Sequence, residues 1–287
     1  MKILITIPHY YYPSKESYGS SDSSPQVRIE AFKSCLFNIY SLFSPSQCMI
    51  DIQNKKTIKA NSALAHSIDV VVCTANDRHL LSQANIPGNF YTNHAVTLED
   101  PKYLGFECQR VLKENLGKYD YYCFMEDDLI INDPYFFEKI KWFNSFTDKM
   151  SVLQPNRYEV STCGSVLKSY VDGDIRPAIT EKYQNVNEFS ELSKEFLEQN
   201  ILFHRPYNTH SASYFLTQEQ MQYWVDQPYF LDLDASFITP LESSASLGVM
   251  KTFRVYKPSP ENANFLEIQH HGDRFLRLIG NRVALTD

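Results

Sequence analysis

Short apolar runs alternate along the first half of the chain with longer segments of helical spacing. Lys2 to Ile7 is a continuous apolar run closed by Pro8, the pattern of a central parallel strand. From Gln26 to Phe43 apolar residues recur at helical spacing (Val27, Ile29, Phe32, Leu36, Ile39, Tyr40), with Pro25 at the entrance and Arg28 near the N-terminal end. Cys48 to Ile52 predicts a second strand, Ile68 to Thr74 a stronger β-branched one, and Phe90 to Asn93 a short one. Asp100 and Pro101 open a further helix that Gly117 follows; Leu104, Cys108, Val111 and Leu112 form its apolar stripe, leaving Glu107 and Arg110 nearer its edge. Tyr119 to Met125 then reads as a buried strand that runs directly into Glu126, Asp127 and Asp128 before the apolar Leu129-Ile130-Ile131. Asp133-Pro134 repeats the capped start for a helix through Phe136, Phe137, Ile140 and Phe143.

The second half is less regular. Ser151 to Gln154 and Ser211 to Leu216 predict strands, and Pro155 to Glu188 is polar, with a turn at Asp172-Gly173-Asp174. Glu188 to Asn200 has Phe189, Leu192, Phe196 and Leu197 on one side of a short helix. Thr217 and Gln220 form a capping-box pattern for the helix carrying Trp224. Pro240 to Gly248 predicts a helix entered at Glu242 and stopped by Gly248. Late strands at Phe253 to Tyr256 and Phe265 to Gln269 follow, the second ending in His270-His271. The expected fold is α/β: a mostly parallel, Rossmann-like central sheet flanked by helices, with its ligand beyond the carboxyl ends of the strands and an α+β portion added on. The chain shows no internal repeat and no linker that divides it.

Composition narrows the classes. Apolar residues make up 43% of the 287 positions, as in a globular chain, and a net charge of −7 without a basic run longer than two residues argues against a nucleic-acid or anionic-membrane partner. The six cysteines lack metal or redox spacing and read as free thiols, mostly buried, of a reducing compartment. The N-terminal apolar run is too short for a signal peptide and no window reaches membrane-span length, so a cytoplasmic protein is expected.

The acidic stretch carries the chemistry. Three adjacent carboxylates inside an apolar run require positive charge if they are covered. The two readings are a divalent metal carrying a phosphorylated ligand and a solvated acidic turn; the first is preferred. Asp77 stands at another strand end, and Tyr10, Tyr11 and Tyr12 follow the first strand, where aromatic rings can stack on a base or lie in a surface loop. With nine glycines and neither Gly-x-Gly-x-x-Gly nor a Walker-type loop, phosphate binding needs a metal or basic side chains.

Together the first strand, the strand ending Asn76-Asp77, the helix holding Arg110 and the strand ending Glu126-Asp127-Asp128 resemble the GT-A-fold, nucleotide-sugar-dependent glycosyltransferases, family 2-like. Their Asp-x-Asp would be matched by Glu126 and Asp128, their catalytic-base segment by Pro240-Leu241-Glu242, and their C-terminal metal histidine by His270 or His271. The resemblance implies a single domain, with 1–133 as the nucleotide-sugar-binding half and 134–287 as the acceptor-binding half. Pro8, Tyr10, Arg28, Asp77, Arg110, Glu126 and Asp127 would then serve the donor, a UDP- or GDP-sugar. Asp128, Glu126 and one of the two histidines would hold Mn²⁺ or Mg²⁺. Glu242 would be the general base of an inverting transfer to a hydroxyl of a carbohydrate or glycan. Two departures stand out: Glu replaces the first Asp, and Ser243 follows Glu242 where a second acid is common. Two other readings remain, a sugar nucleotidyltransferase and a nucleotide- or carbohydrate-binding protein with weak or no turnover. Asp232-Leu-Asp234, a second Asp-x-Asp bounded by Pro228 and Pro240, reads as a turn, and Trp142 and Trp224 as core residues.

Overall fold

The apolar runs become the inner strands of one sheet, and the residues of helical spacing cover its two faces. The computed structural model describes residues 1–13 and 24–285; the serine-rich tail of the loop after the first strand lies outside the described residues. The first half runs β1 (Lys2–Pro8), α1 (Pro25–Phe43), β2 (Cys48–Asp51), β3 (Lys56–Lys59), β4 (Ser67–Ala75), α2 (Leu81–Ala84), β5 (Thr92–Val96), α3 (Leu104–Glu114), β6 (Tyr121–Met125), β7 (Leu129–Ile130) and α4 (Phe136–Phe146). The second continues with β8 (Ser151–Leu153), β9 (Asn156–Val160), β10 (Lys168–Tyr170), α5 (Pro177–Thr180), β11 (Glu191–Phe196) and β12 (Gln199–His204). It ends with β13 (Ser213–Thr217), α6 (Gln218–Val225), α7 (Pro240–Thr252), β14 (Arg254–Pro258) and β15 (Glu267–His270).

The central sheet has the order β13-β6-β1-β4-β5, with β6, β1, β4 and β5 parallel and β13 antiparallel at its edge. Strand order reverses between β1 and β6, which opens a crevice at their carboxyl ends where ligands bind in open α/β sheets. The alternation within β6 feeds two cores. Tyr121, Cys123 and Met125 join the side covered by α1 and α4, whereas Tyr122 and Phe124 join the side covered by α3, α6 and α7. Two further four-stranded sheets, β10-β9-β15-β7 and β11-β12-β14-β8, build the rest of the second half.

Four expectations change. The strand at 48–52 forms as β2, but it pairs only with β3 in a separate hairpin exposed on nearly every residue. The short strand expected at 90–93 lies further on, at Thr92–Val96. The helix expected over 188–200 is instead the hairpin β11–β12. Leu197 and Glu198 both take positive φ (48° and 63°) between the paired Phe196 and Gln199, and Leu192 and Phe196 face the core at strand period while Leu197 is exposed. Finally, α7 continues through Gly248 to Thr252. That glycine is a packing residue: a Cβ there would lie 2.3 Å from the Trp224 ring. The capping box at Thr217 and Gln220 forms as expected, and Gly117 takes a positive φ of 81° past α3. Cys35, Cys73, Cys108 and Cys123 are buried free thiols, while Cys48 and Cys163 are exposed. Among the described residues no helix is long and apolar enough to cross a membrane.

Candidate active site

The β6 ladder with β13 carries on one residue past the strand, since the Glu126 N–H donates to the Ala212 carbonyl. A turn closed by the Leu129 N–H to the Glu126 carbonyl then presents the three acids at the crevice between β1 and β6. Their surroundings differ, and so do their states.

Asp127 is fully engaged. Arg28, from the first turn of α1, donates to Asp127 and also to Asp128 Oδ2 (3.1 Å). His9, stacked on Phe32 just past β1, accepts at Nε2 from the Leu80 N–H (3.1 Å), which leaves its proton on Nδ1 to donate to Asp127 Oδ2 (2.6 Å). Burial works to raise the Asp127 carboxyl, yet Arg28 and His9 hold it below the usual range. Burial likewise works against the Arg28 cation, but Asp127 and Asp128 push the guanidinium well above its usual value. Arg28, expected to serve the donor, is paired with acids. The positive charge that the acidic stretch demands therefore comes in part from Arg28, and Asp127 is a tie between β1, α1 and β6.

Asp128 is 5% exposed; its Oδ2 meets Arg28 but its Oδ1 is buried without a hydrogen-bond partner. The pairing of β15 with β7 sets His270 opposite Leu129 and brings the His271 N–H onto the Asp128 carbonyl (2.8 Å). The fold thereby distinguishes the two histidines. His270 Nδ1 donates to Glu159 Oε1 (2.8 Å), and its Nε2 faces Asp128 Oδ2 at 3.7 Å. Glu159 is fully buried and also accepts from the Leu276 N–H, so its carboxylate orients the imidazole with Nε2 toward Asp128. Among the described residues no hydrogen bond holds the side chain of His271, and burial lowers its basicity.

Glu126 is partly buried and accepts no hydrogen bond from the described residues. Burial and Asp128 raise its carboxyl well above the usual range, opposed by Arg157, with Glu242 adding to the rise. Glu242 sits in the first turn of α7, which is drawn close to α3 because Gly105 leaves room for Ser244 and Gln109 donates to the Ser244 carbonyl (2.8 Å). Its Oε2 is buried without a partner, and burial raises its carboxyl against the opposing pull of its own backbone N–H and Arg157.

The remaining predicted residues are more scattered. Pro8 is buried at the end of β1. Tyr10 lies just beyond it, its hydroxyl accepting from Arg78 (3.3 Å). Asp77 is exposed at the end of β4 in a turn of positive φ (53°), on the same sheet edge. Arg110 is not brought to the site; it lies exposed on α3, paired with Glu107 (3.2 Å). Asp232 and Asp234 form a turn tied to Lys251, as the sequence indicates. Sequence reasoning missed His9, Glu159 and Arg157, which reach the acids only through the assembled fold; Arg157 alone had a local sign, a cation inside a polar strand.

Among the described residues, no group of three or more His, Cys, Asp or Glu side chains is gathered to hold a metal unaided. The donor set nonetheless suits a hard ion that takes one carboxylate and fills its other positions with water and phosphate oxygens: Asp128 Oδ1 is unpartnered, and His270 Nε2 is oriented from behind.

No protein-family model matches the chain, and no curated protein matches it. Among solved structures it is similar to S. aureus TarS, with a TM-score of 0.44 and 13% identity over 97% of this chain. The chain spans 39% of the TarS chain, and a likeness this remote supports no assignment.

Proposed function

We propose that the protein is a metal-dependent glycosyltransferase of GT-A type that moves a sugar from a UDP- or GDP-sugar to a hydroxyl of a glycan acceptor, with inversion. The observation that carries this reading is the pair of buried, unpartnered carboxylate oxygens at one sheet edge, Asp128 Oδ1 and Glu242 Oε2, both within electrostatic reach of Glu126. A buried acceptor left unmatched costs about 1–3 kcal/mol, so such a pair is retained for what it binds. Asp128 and His270 would hold Mn²⁺ or Mg²⁺, with Glu126 reaching the ion or its water. When bound, that ion neutralises the leaving diphosphate. Residues 1–133 form the donor side and 134–287 the acceptor side, with Asp77 and Tyr10 at the nucleoside. Glu242 accepts the proton of the attacking hydroxyl as it adds to the anomeric carbon from the face opposite the diphosphate. Its raised carboxyl pKa brings its basicity closer to that task than an ordinary exposed glutamate offers.

The test is thermal shift against UDP, GDP, their sugars and nucleoside triphosphates, with and without Mn²⁺. Stabilisation by a diphosphate only with metal, lost in Asp128→Asn, is the expected result; stabilisation by triphosphates alone would point to a nucleotidyltransferase. Donor binding that survives while wild-type protein and Glu242→Gln show equal and negligible transfer would favour the binding-only reading. Arg28 favours that second reading, since it already neutralises part of the acidic stretch.

A further inference from the structure

Away from the sheet crevice, a cleft of about 250 Å³ opens between β9 and β10 on one side and β12 and β14 on the other. Its size is just under the ~300 Å³ lower bound of small-molecule pockets, enough for one sugar ring and too little for an oligosaccharide. The charged groups lining it are balanced: the cations of Arg157 and Lys257 face the carboxylates of Asp172 and Asp174. Arg157 grips Asp172 through Nε and Nη2 (3.2 and 2.7 Å), and the buried Lys257 stands 3.8 Å from the same carboxylate while donating to the His210 carbonyl. His204, also on the wall, is pushed toward its neutral form by burial. A phosphate or carboxylate entering here gains little, because both cations are already matched. Hydroxyl groups, each a donor and an acceptor, can use both the carboxylate oxygens and the nitrogen donors of this lining. Tyr170 and the rings of Pro206, Pro258 and Pro260 supply apolar walls for the C–H faces of a ring.

We propose that this cleft binds a single neutral sugar ring. Naming that sugar as the terminal residue of the acceptor rests on the glycosyl-transfer reading; the class of ligand does not.

The experiment is saturation-transfer NMR and calorimetric titration of the full chain, without metal or nucleotide. The probes are methyl α-glucoside, methyl β-galactoside and N-acetylglucosamine, against glucuronate and inorganic phosphate. At least one neutral probe is expected to bind saturably with Kd of order 1–10 mM. Tyr170→Ala and Asp174→Asn are expected to weaken it about tenfold or abolish it. Tyr170 lies on an exposed strand, and the Asp174→Asn change keeps a side-chain oxygen to accept from the Tyr207 N–H, so both variants are expected to fold, which a urea melt checks. No saturable neutral binding up to ~50 mM overturns the proposal. Tighter binding of phosphate or glucuronate, or indifference to both cleft variants, overturns it equally. Loss of the metal-dependent nucleotide response with sugar binding intact would remove the transferase reading and leave the cleft standing.

Discussion

At the scale of single residues, the three consecutive acids have three different occupations, set by what each meets. Asp127 is neutralised by Arg28 and His9, Asp128 keeps one free oxygen, and the Glu126 carboxyl accepts no hydrogen bond from the described residues. Glu159 acts behind His270, so Glu159→Gln should weaken Mn²⁺ binding about 10–100-fold while still accepting from the Leu276 N–H. Metal titration by thermal shift reads this, with the metal-free Tm close to wild type; an unchanged Mn²⁺ affinity would remove His270 from the ligand set. The pH dependence separates the same residues. Asp127, held below its ordinary 3.8, releases its proton more readily folded than unfolded, so it stabilises the fold above that value, and the contribution is lost as pH falls through its folded pKa. Glu242 is raised above 4.5, so the folded state binds its proton more tightly and stability falls as pH rises from there through its folded pKa. Urea melts from pH 4 upward should therefore show Glu242→Gln gaining stability relative to wild type as pH increases. No change would mean that the Glu242 carboxyl is solvated, and a change of opposite sign that its carboxylate is paired.

At the scale of elements, the joint between α3 and α7 decides where Glu242 stands. A Cβ on Gly105 would lie 1.9 Å from Ser244 Oγ and 2.7 Å from its Cβ, so rotating the serine does not relieve the contact. Gly105→Ala should cost about 1–3 kcal/mol and lower transfer by displacing the start of α7. Adding Ser244→Gly should recover part of the loss, and strict additivity of the two changes in urea melts would show that the helices do not meet there. The β11–β12 hairpin makes a second case. Replacing Leu197-Glu198 by Asn-Gly should stabilise the fold by about 0.4–1 kcal/mol, because both positions take positive φ. The same change in a helix would destabilise it. This hairpin also shows where sequence was legible and where it was not. The inner strands β1, β4 and β6 were readable because burial on both faces demands unbroken apolar runs. Phe189, Leu192, Phe196 and Leu197 fit a helical period by chance, since two of the four are exposed and strand pairing with β12 decides the segment. The acids and Glu242 were visible as local chemistry. His9, Glu159 and Arg157 were not, because their partners lie 118, 111 and 15 residues away and only the folded sheets bring them together.

At the scale of the whole molecule, the two halves of the chain are interleaved. β13, from the second half, completes the central sheet beside β6, and α7 packs on α3, while β7, from the first half, pairs with β15. Residues 1–133 therefore lack an edge strand and part of one covering layer when taken without the rest. Its exposed β6 edge and apolar face would leave unpaired backbone groups and uncovered aromatic rings. One cooperative unfolding transition is accordingly expected, although chains of this length often unfold in parts. The two tryptophans report on it independently. Trp142 packs against Phe196, Phe203 and Phe265 toward the sheet of the second half, whereas Trp224 packs against Tyr214 and Phe230 under the central sheet. In urea, Trp142→Phe and Trp224→Phe should each show a fluorescence transition that coincides with the loss of far-UV ellipticity in the same variant. If fluorescence and ellipticity separate in either variant, the halves unfold separately.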